Sequence, residues 1–170
     1  MKKKIAFLVI ILICISIVVI YSVIKGKAEL TVSVGNHIVK YKACEDHFTS
    51  NNFVFKFAFE DENLEYIENV DIGGKIYREL GNNSSEEFII RDYLLNAEGE
   101  IIHDDIVCEV PVIYDNDKYY FVVKTHKVLD IISKYKLISP DNVEDYYRGF
   151  MITTTKGNTK KDYMFVIKTN

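Results

Sequence analysis

The sequence predicts a mainly β (α+β) chain: an antiparallel β meander, sandwich or barrel-like, with one or two short helices near 127–148, preceded by a single N-terminal transmembrane helix. Three observations predict it. Residues 5–24 form one run of 20 without a charge. Most of the remainder is short period-two runs, apolar alternating with polar, separated by tight polar turns. Helical spacing enters only after residue 127.

The anchor comes first. Lys2, Lys3 and Lys4 precede Ile5, and Lys25 and Lys27 follow Ile24. At ~1.5 Å per residue this run spans ~30 Å, the hydrocarbon thickness of a bilayer. A cleaved signal has a shorter apolar region and a small-residue site. Gly26-Lys27-Ala28 offers such a site, but the large residues Tyr21, Val23 and Ile24 favour an uncleaved anchor. Cys14 follows Ile13 inside the run, where lipidation would want a small residue. Positive charge is denser before the run than after it, so the N-terminus is expected inside the cell membrane and the large domain outside. The expected organisation is a cytoplasmic N-terminus at 1–4, a single-pass anchor at 5–24, a short linker at 25–29 and an extracytoplasmic β-rich domain at 30–170.

The strands follow in order. Leu30 to Val34 and His37 to Ala43 flank Gly35-Asn36, a two-residue hairpin loop that puts Leu30, Val32, Val34, His37, Val39 and Tyr41 on one face. Phe53, Phe55, Phe57 and Phe59 alternate with Val54, Lys56 and Ala58, which reads as a central strand apolar on both faces. Tyr66 to Ile72 and Lys75 to Leu80 flank Gly73-Gly74, a weaker hairpin that would set Glu68 opposite Glu79. Phe88 to Leu95 and Glu100 to Val110 flank Asn96-Ala97-Glu98-Gly99, and Val112 to Tyr114 and Tyr119 to Lys124 flank Asp115 to Lys118. Pro111 marks an edge, bulge or break between them.

Val128, Leu129, Ile131, Ile132 and Tyr135 then follow helical spacing, and Ser139-Pro140 opens a second short helix with a capping hydroxyl before a first-turn proline. The chain closes with a hairpin, Phe150 to Thr155 and Asp162 to Thr169, around Gly157-Asn158, with Phe150, Ile152, Tyr163, Phe165 and Ile167 sharing a face.

Lys25 to Asn170 is 146 residues, enough for one core. All 25 acidic residues and 18 of the 21 basic ones lie there, a net charge of −7. No basic stripe offers itself to nucleic acid, and anionic wall polymers would be repelled. A cationic protein partner is compatible with this field. Abundant Ile, Lys and Asn suggest an AT-rich bacterial genome.

Chemistry-bearing motifs are few. There is no G-x-S-x-G, H-E-x-x-H, C-x-x-C or phosphate-binding loop. No catalytic residue, metal ligand set or cofactor is assigned. His37 reads as a hairpin-end residue and His47, after Glu45-Asp46, as part of a solvated charge run. His126 and Asp130 have chelating helical spacing, which is also ordinary surface composition. The densest cluster is His103-Asp104-Asp105, with Asp92 expected across from His103 and Arg91 across from Asp104. One histidine with carboxylates falls short of a zinc ligand set, so cross-strand charge pairing is the simpler reading. Asp115-Asn116-Asp117 lacks the glycine and distal glutamate of a calcium loop.

Cys44 and Cys108 would close a loop of about 64 residues if bonded. Strand parity puts them on different faces, so separate thiols are expected.

These readings converge on a non-catalytic, membrane-anchored domain that binds another protein, as an envelope-complex subunit or an inhibitor of immunity type. The alternatives are a small metal-dependent hydrolase at His103, Asp104 and Asp105, and a small-ligand carrier if the sheet closes into a barrel. Tyr146, Tyr147 and Arg148 are the candidate binding residues: they follow the short second helix and are of types enriched at interface hot spots.

Overall fold

The computed structural model describes residues 30–44, 53–60, 63–80, 87–134 and 146–169. In chain order the strands are β1 (Leu30–Val34), β2 (His37–Ile38), β3 (Lys42–Cys44), β4 (Glu68–Asn69), β5 (Lys75–Leu80), β6 (Glu87–Leu95), β7 (Cys108–Glu109), β8 (Ile113–Asp115), β9 (Lys118–Val122), β10 (Tyr146–Lys156) and β11 (Thr159–Thr169). Among the described residues one α-helix, α1 (Lys127–Lys134), lies between β9 and β10. The fold is mainly β with antiparallel sheets, as the period-two runs predict. The expected anchor at 5–24 and the helix expected from Ser139 fall outside the described residues. No helix among the described residues is long and apolar enough to cross a membrane.

The strands form two sheets. The first has the order β2-β1-β5-β9-β8 and the second β3-β11-β10-β6-β7, with β4 joining the edge of β11 in parallel. Val32, Ile76 and Phe121 of the first sheet pack against Ile90, Phe150 and Phe165 of the second. Phe150 stacks on Phe165 at 5.3 Å between ring centroids and tilts against Phe121 at 5.1 Å. The two sheets therefore make a sandwich around one central core. They do not follow one another as a meander. The chain passes back and forth between the sheets, and the pairs β1–β2, β6–β7, β8–β9 and β10–β11 join strands consecutive in sequence.

The turns of β1–β2, β8–β9 and β10–β11 match the sequence reading, but the strand expected over His37 to Ala43 stops at Ile38, and Lys42–Cys44 leaves that hairpin to pair with β11 in the second sheet. Val34 pairs with His37 around Gly35, whose φ is +56°, and Asp115 pairs with Lys118 around Asn116 and Asp117, both in the left-handed region. The final hairpin is longer than expected. β10 begins at Tyr146, so Tyr146, Tyr147 and Arg148 are strand residues.

Three expectations are corrected. Residues 53–59 are not a strand: Phe53 to Phe55 form a turn and Lys56–Phe59 a 3₁₀ helix. This segment lies on the outer side of the second sheet, where Val54, Phe55 and Ala58 pack against Met151, Met164 and Val166. A run apolar at nearly every position suits a cap buried from below as well as a central strand, and periodicity cannot separate them. Gly73-Gly74 does not close a hairpin. The chain switches sheets there, β4 pairing with β11 and β5 with β1 and β9. That avoids the repulsive Glu68–Glu79 pairing, and Glu68 instead lies 3.4 Å from His37. Finally, Glu100 to Val110 is not one strand. After a bridge from Leu95 to Ile101 the chain turns at His103, with φ 59°, and rejoins β6 only at Cys108 and Glu109. Asp92 thus faces Cys108, not His103, and Arg91 faces Glu109, not Asp104.

Candidate functional site

Among the described residues the two sheets are covered unequally. The second sheet has the first against one face and residues 53–60 against the other. On the outer face of the first, the register lines up one residue from every strand: Ile38, Ser33, Tyr77, Tyr120 and Ile113. Ile38 is 72% exposed and Ile113 40%, at the two ends of the row. Tyr77 and Tyr120, half-buried in the middle, have ring centroids 5.6 Å apart. Lys75 Nζ lies 4.5 Å from the centre of the Tyr120 ring and Lys118 Nζ 5.9 Å from that of Tyr77. The result is a flat strip of aromatic and aliphatic surface with cations over its rings. Such a strip suits contact with another macromolecule, because rigid aromatic area is desolvated at small cost in side-chain entropy.

Tyr146, Tyr147 and Arg148 do not form a joint surface. Tyr147 turns toward the 53–60 cap and meets Phe59 edge-on at 4.9 Å. Tyr146 is half-buried at the start of β10, where its carbonyl accepts a bond from the Thr169 hydroxyl at 3.2 Å. Arg148, expected at the surface, is 1% exposed and points into the sandwich. The reason is parity: Arg148, Phe150 and Ile152 alternate on the inner face of β10.

Arg148 is held by a compact network. Its Nε donates to Asp92 Oδ1 at 3.0 Å, its Nη2 to Asp92 Oδ2, and its Nη1 to the carbonyl of Lys124 at 3.0 Å. Asp92 sits on the inner face of β6 and is 5% exposed. His126, 1% exposed, packs beside this pair with its Nε2 3.3 Å from the Asp92 carbonyl. Its Nδ1 accepts the backbone N–H of Val128 at 3.3 Å. Burial pushes the Asp92 carboxyl up, with Arg148 pulling back. Burial likewise holds the His126 ring below the ordinary histidine range, opposed by the Asp92 charge and assisted by that of Arg148.

A cleft of about 200 Å³ opens above this network, lined in part by Asp92, Cys108, Pro111, Val123, Lys127 and Phe150. It is smaller than the ~300 Å³ at which ordinary small-molecule sites begin. Cys108 and His126 do not form a nucleophile–base pair, because both ring nitrogens of His126 are committed to main-chain partners. The network ties the β9–α1 connection to the second sheet.

The remaining candidates are scattered. His103, Asp104 and Asp105 are exposed on a turn, away from the Arg91 and Asp92 partners expected for them. Asp130 is exposed while His126 is buried, so the two do not converge. His47 lies outside the described residues. Among the described residues no group of three or more His, Cys, Asp or Glu side chains is placed to hold a metal ion. No disulfide joins Cys44 and Cys108, which lie in β3 and β7 at opposite edges of the second sheet.

Sequence reasoning missed two features. The outer row joins strands distant in the chain, and no local signal marks it. The buried pair did leave a signal: Asp92 shares parity with Phe88, Ile90 and Leu94, and Arg148 with Phe150 and Ile152, two opposite charges on two apolar faces. In comparisons with known proteins, no family model, curated protein or solved structure matches the chain.

Proposed function

We propose that this chain is a membrane-anchored, extracytoplasmic protein-binding domain, working as a subunit of an envelope complex or as an inhibitor of immunity type. The observation that carries the reading is the uncovered row Ile38–Ser33–Tyr77–Tyr120–Ile113 across the first sheet, beside a second sheet covered on both faces. The uncharged run at 5–24 with three lysines before it supports the anchor and its orientation. The net charge of −7 beyond it favours a partner with a positive field, which it would steer at long range. The binding surface assigned here is the outer row; Arg148 is assigned to the interior.

Crosslinked pull-down of the full-length protein from its own membranes tests the proposal. A Tyr77→Ser, Tyr120→Ser variant should weaken capture of the specific partner by ~2 kcal/mol or more, the scale of interface hot spots. Its melting temperature should move little, because cross-strand pairs at half-exposed positions contribute only ~0.2–1 kcal/mol. Full capture by a stably folded variant would remove this face from the reading.

A further inference from the structure

α1 is held to the sandwich at its first turn. His126 stands immediately before it, and its carbonyl accepts the N–H of Asp130 at 3.2 Å, the first bond of the helix. Its Nδ1 accepts the N–H of Val128 at 3.3 Å, as a capping side chain does. The same ring reaches across with Nε2, 3.3 Å from the Asp92 carbonyl of β6. These two contacts fix the neutral tautomer with its proton on Nε2, since Nδ1 must carry a free lone pair to cap and a carbonyl only accepts.

The helix itself is short. It has eight residues, too few to persist alone in water. Val128 is buried, whereas Ile131 is 43% exposed. Three charged groups surround the ring: the Asp92 carboxylate from β6, the Arg148 guanidinium from β10 and Lys127 from the helix itself. Only the first favours a cation there, and Arg148 already engages both oxygens of that carboxylate.

We propose that His126 is a proton-operated cap: protonation at Nδ1 removes the acceptor for the Val128 N–H and undocks α1 from the end of the sandwich, opening the cleft wall to which Lys127 contributes. Three consequences of adding the proton act in that direction, against the pull of the Asp92 carboxylate and carbonyl. The Val128 N–H loses its partner inside the protein, a cation stands at the positive end of a helix, and it lies beside Arg148 with almost no water. The lowered affinity of the buried ring for protons places the transition below the ordinary histidine value of 6.5. The inference concerns α1 and the cleft, and it stands apart from the outer face of the first sheet.

Hydrogen exchange of the full-length chain in detergent, compared at about pH 7.5 and about pH 4.5 and corrected for intrinsic rates, tests it. Protection of the amides in 127–134 should fall at least about tenfold on acidification. Protection along β10 and β11 should hold. In His126→Asn the amide oxygen can still cap but does not titrate, so protection of α1 should be independent of pH. Three results would overturn the proposal: a wild-type helix equally protected at both pH values, parallel loss in β10 and β11, or an Asn variant with the wild-type pH dependence, which would place the acid sensitivity at another group. Should the Asn variant leave α1 undocked at neutral pH, the ring nitrogen resonances of the wild-type protein decide. Proton uptake at Nδ1 must then coincide with loss of protection, and a ring that titrates on a docked helix contradicts the cap.

Discussion

At the scale of single residues, the Asp92–Arg148 pair governs the end of the sandwich. Both carboxylate oxygens and three guanidinium nitrogens are engaged away from water. Removing one member strands the other as a buried charge, so Asp92→Asn or Arg148→Met should each cost about 3–5 kcal/mol. Asp92→Leu combined with Arg148→Met should cost much less than the sum, because no charge is left without its partner. Urea denaturation of the four proteins checks this, and additive losses would show that the pair is not coupled. His126 sets a pH dependence of known sign. Its folded affinity for protons lies below the unfolded one, so its contribution to stability is full above about pH 6.5 and is lost as pH falls through the folded value. Asp92, whose carboxyl is pushed up, contributes in the opposite sense, most at low pH. His126→Asn should therefore flatten or reverse the fall in melting temperature on going from about pH 7 to about pH 5. An unchanged slope would place the acid sensitivity elsewhere.

At the scale of elements, the outer cap depends on one missing side chain. A Cβ on Gly149 would stand 2.7 Å from the Phe55 ring, in a close-packed region between β10 and the 53–60 segment. Gly149→Ala should destabilise by about 1–3 kcal/mol, read from chemical denaturation. Phe55→Ala should remove most of that penalty when combined with it, since the clash is with this ring. This contact also marks where the sequence stopped being legible. The hairpins at Gly35, Asn116 and Gly157 were readable because a two-residue loop with left-handed backbone fixes register locally. The Phe53 to Phe59 run was misread because alternation describes spacing along the chain, not what covers each side. The five-residue displacement that puts Cys108 opposite Asp92 was hidden by the turn at His103, where a histidine adopts a conformation usually left to glycine or asparagine. The candidate surface was least legible of all, because Ile38, Tyr77 and Ile113 become neighbours only through pairings between distant strands.

At the scale of the whole molecule, each sheet borrows its order from the other. The chain passes back and forth between them, so neither sheet forms without long-range closure, and folding is expected to be slow for its size. The proposed orientation carries its own test. A membrane-impermeant protease added to intact protoplasts should digest the β domain, and complete protection would reverse the assignment of sides. The central claim is that the uncovered face of the first sheet is where a partner sits. A photo-crosslinking amino acid placed at Tyr120 in the full-length protein, irradiated in its native membranes, tests it most directly. The account predicts a discrete adduct with a second protein from Tyr120 and none from Lys160, at the tip of the β10–β11 hairpin. No protein adduct from Tyr120, or the same adduct from both positions, would contradict it.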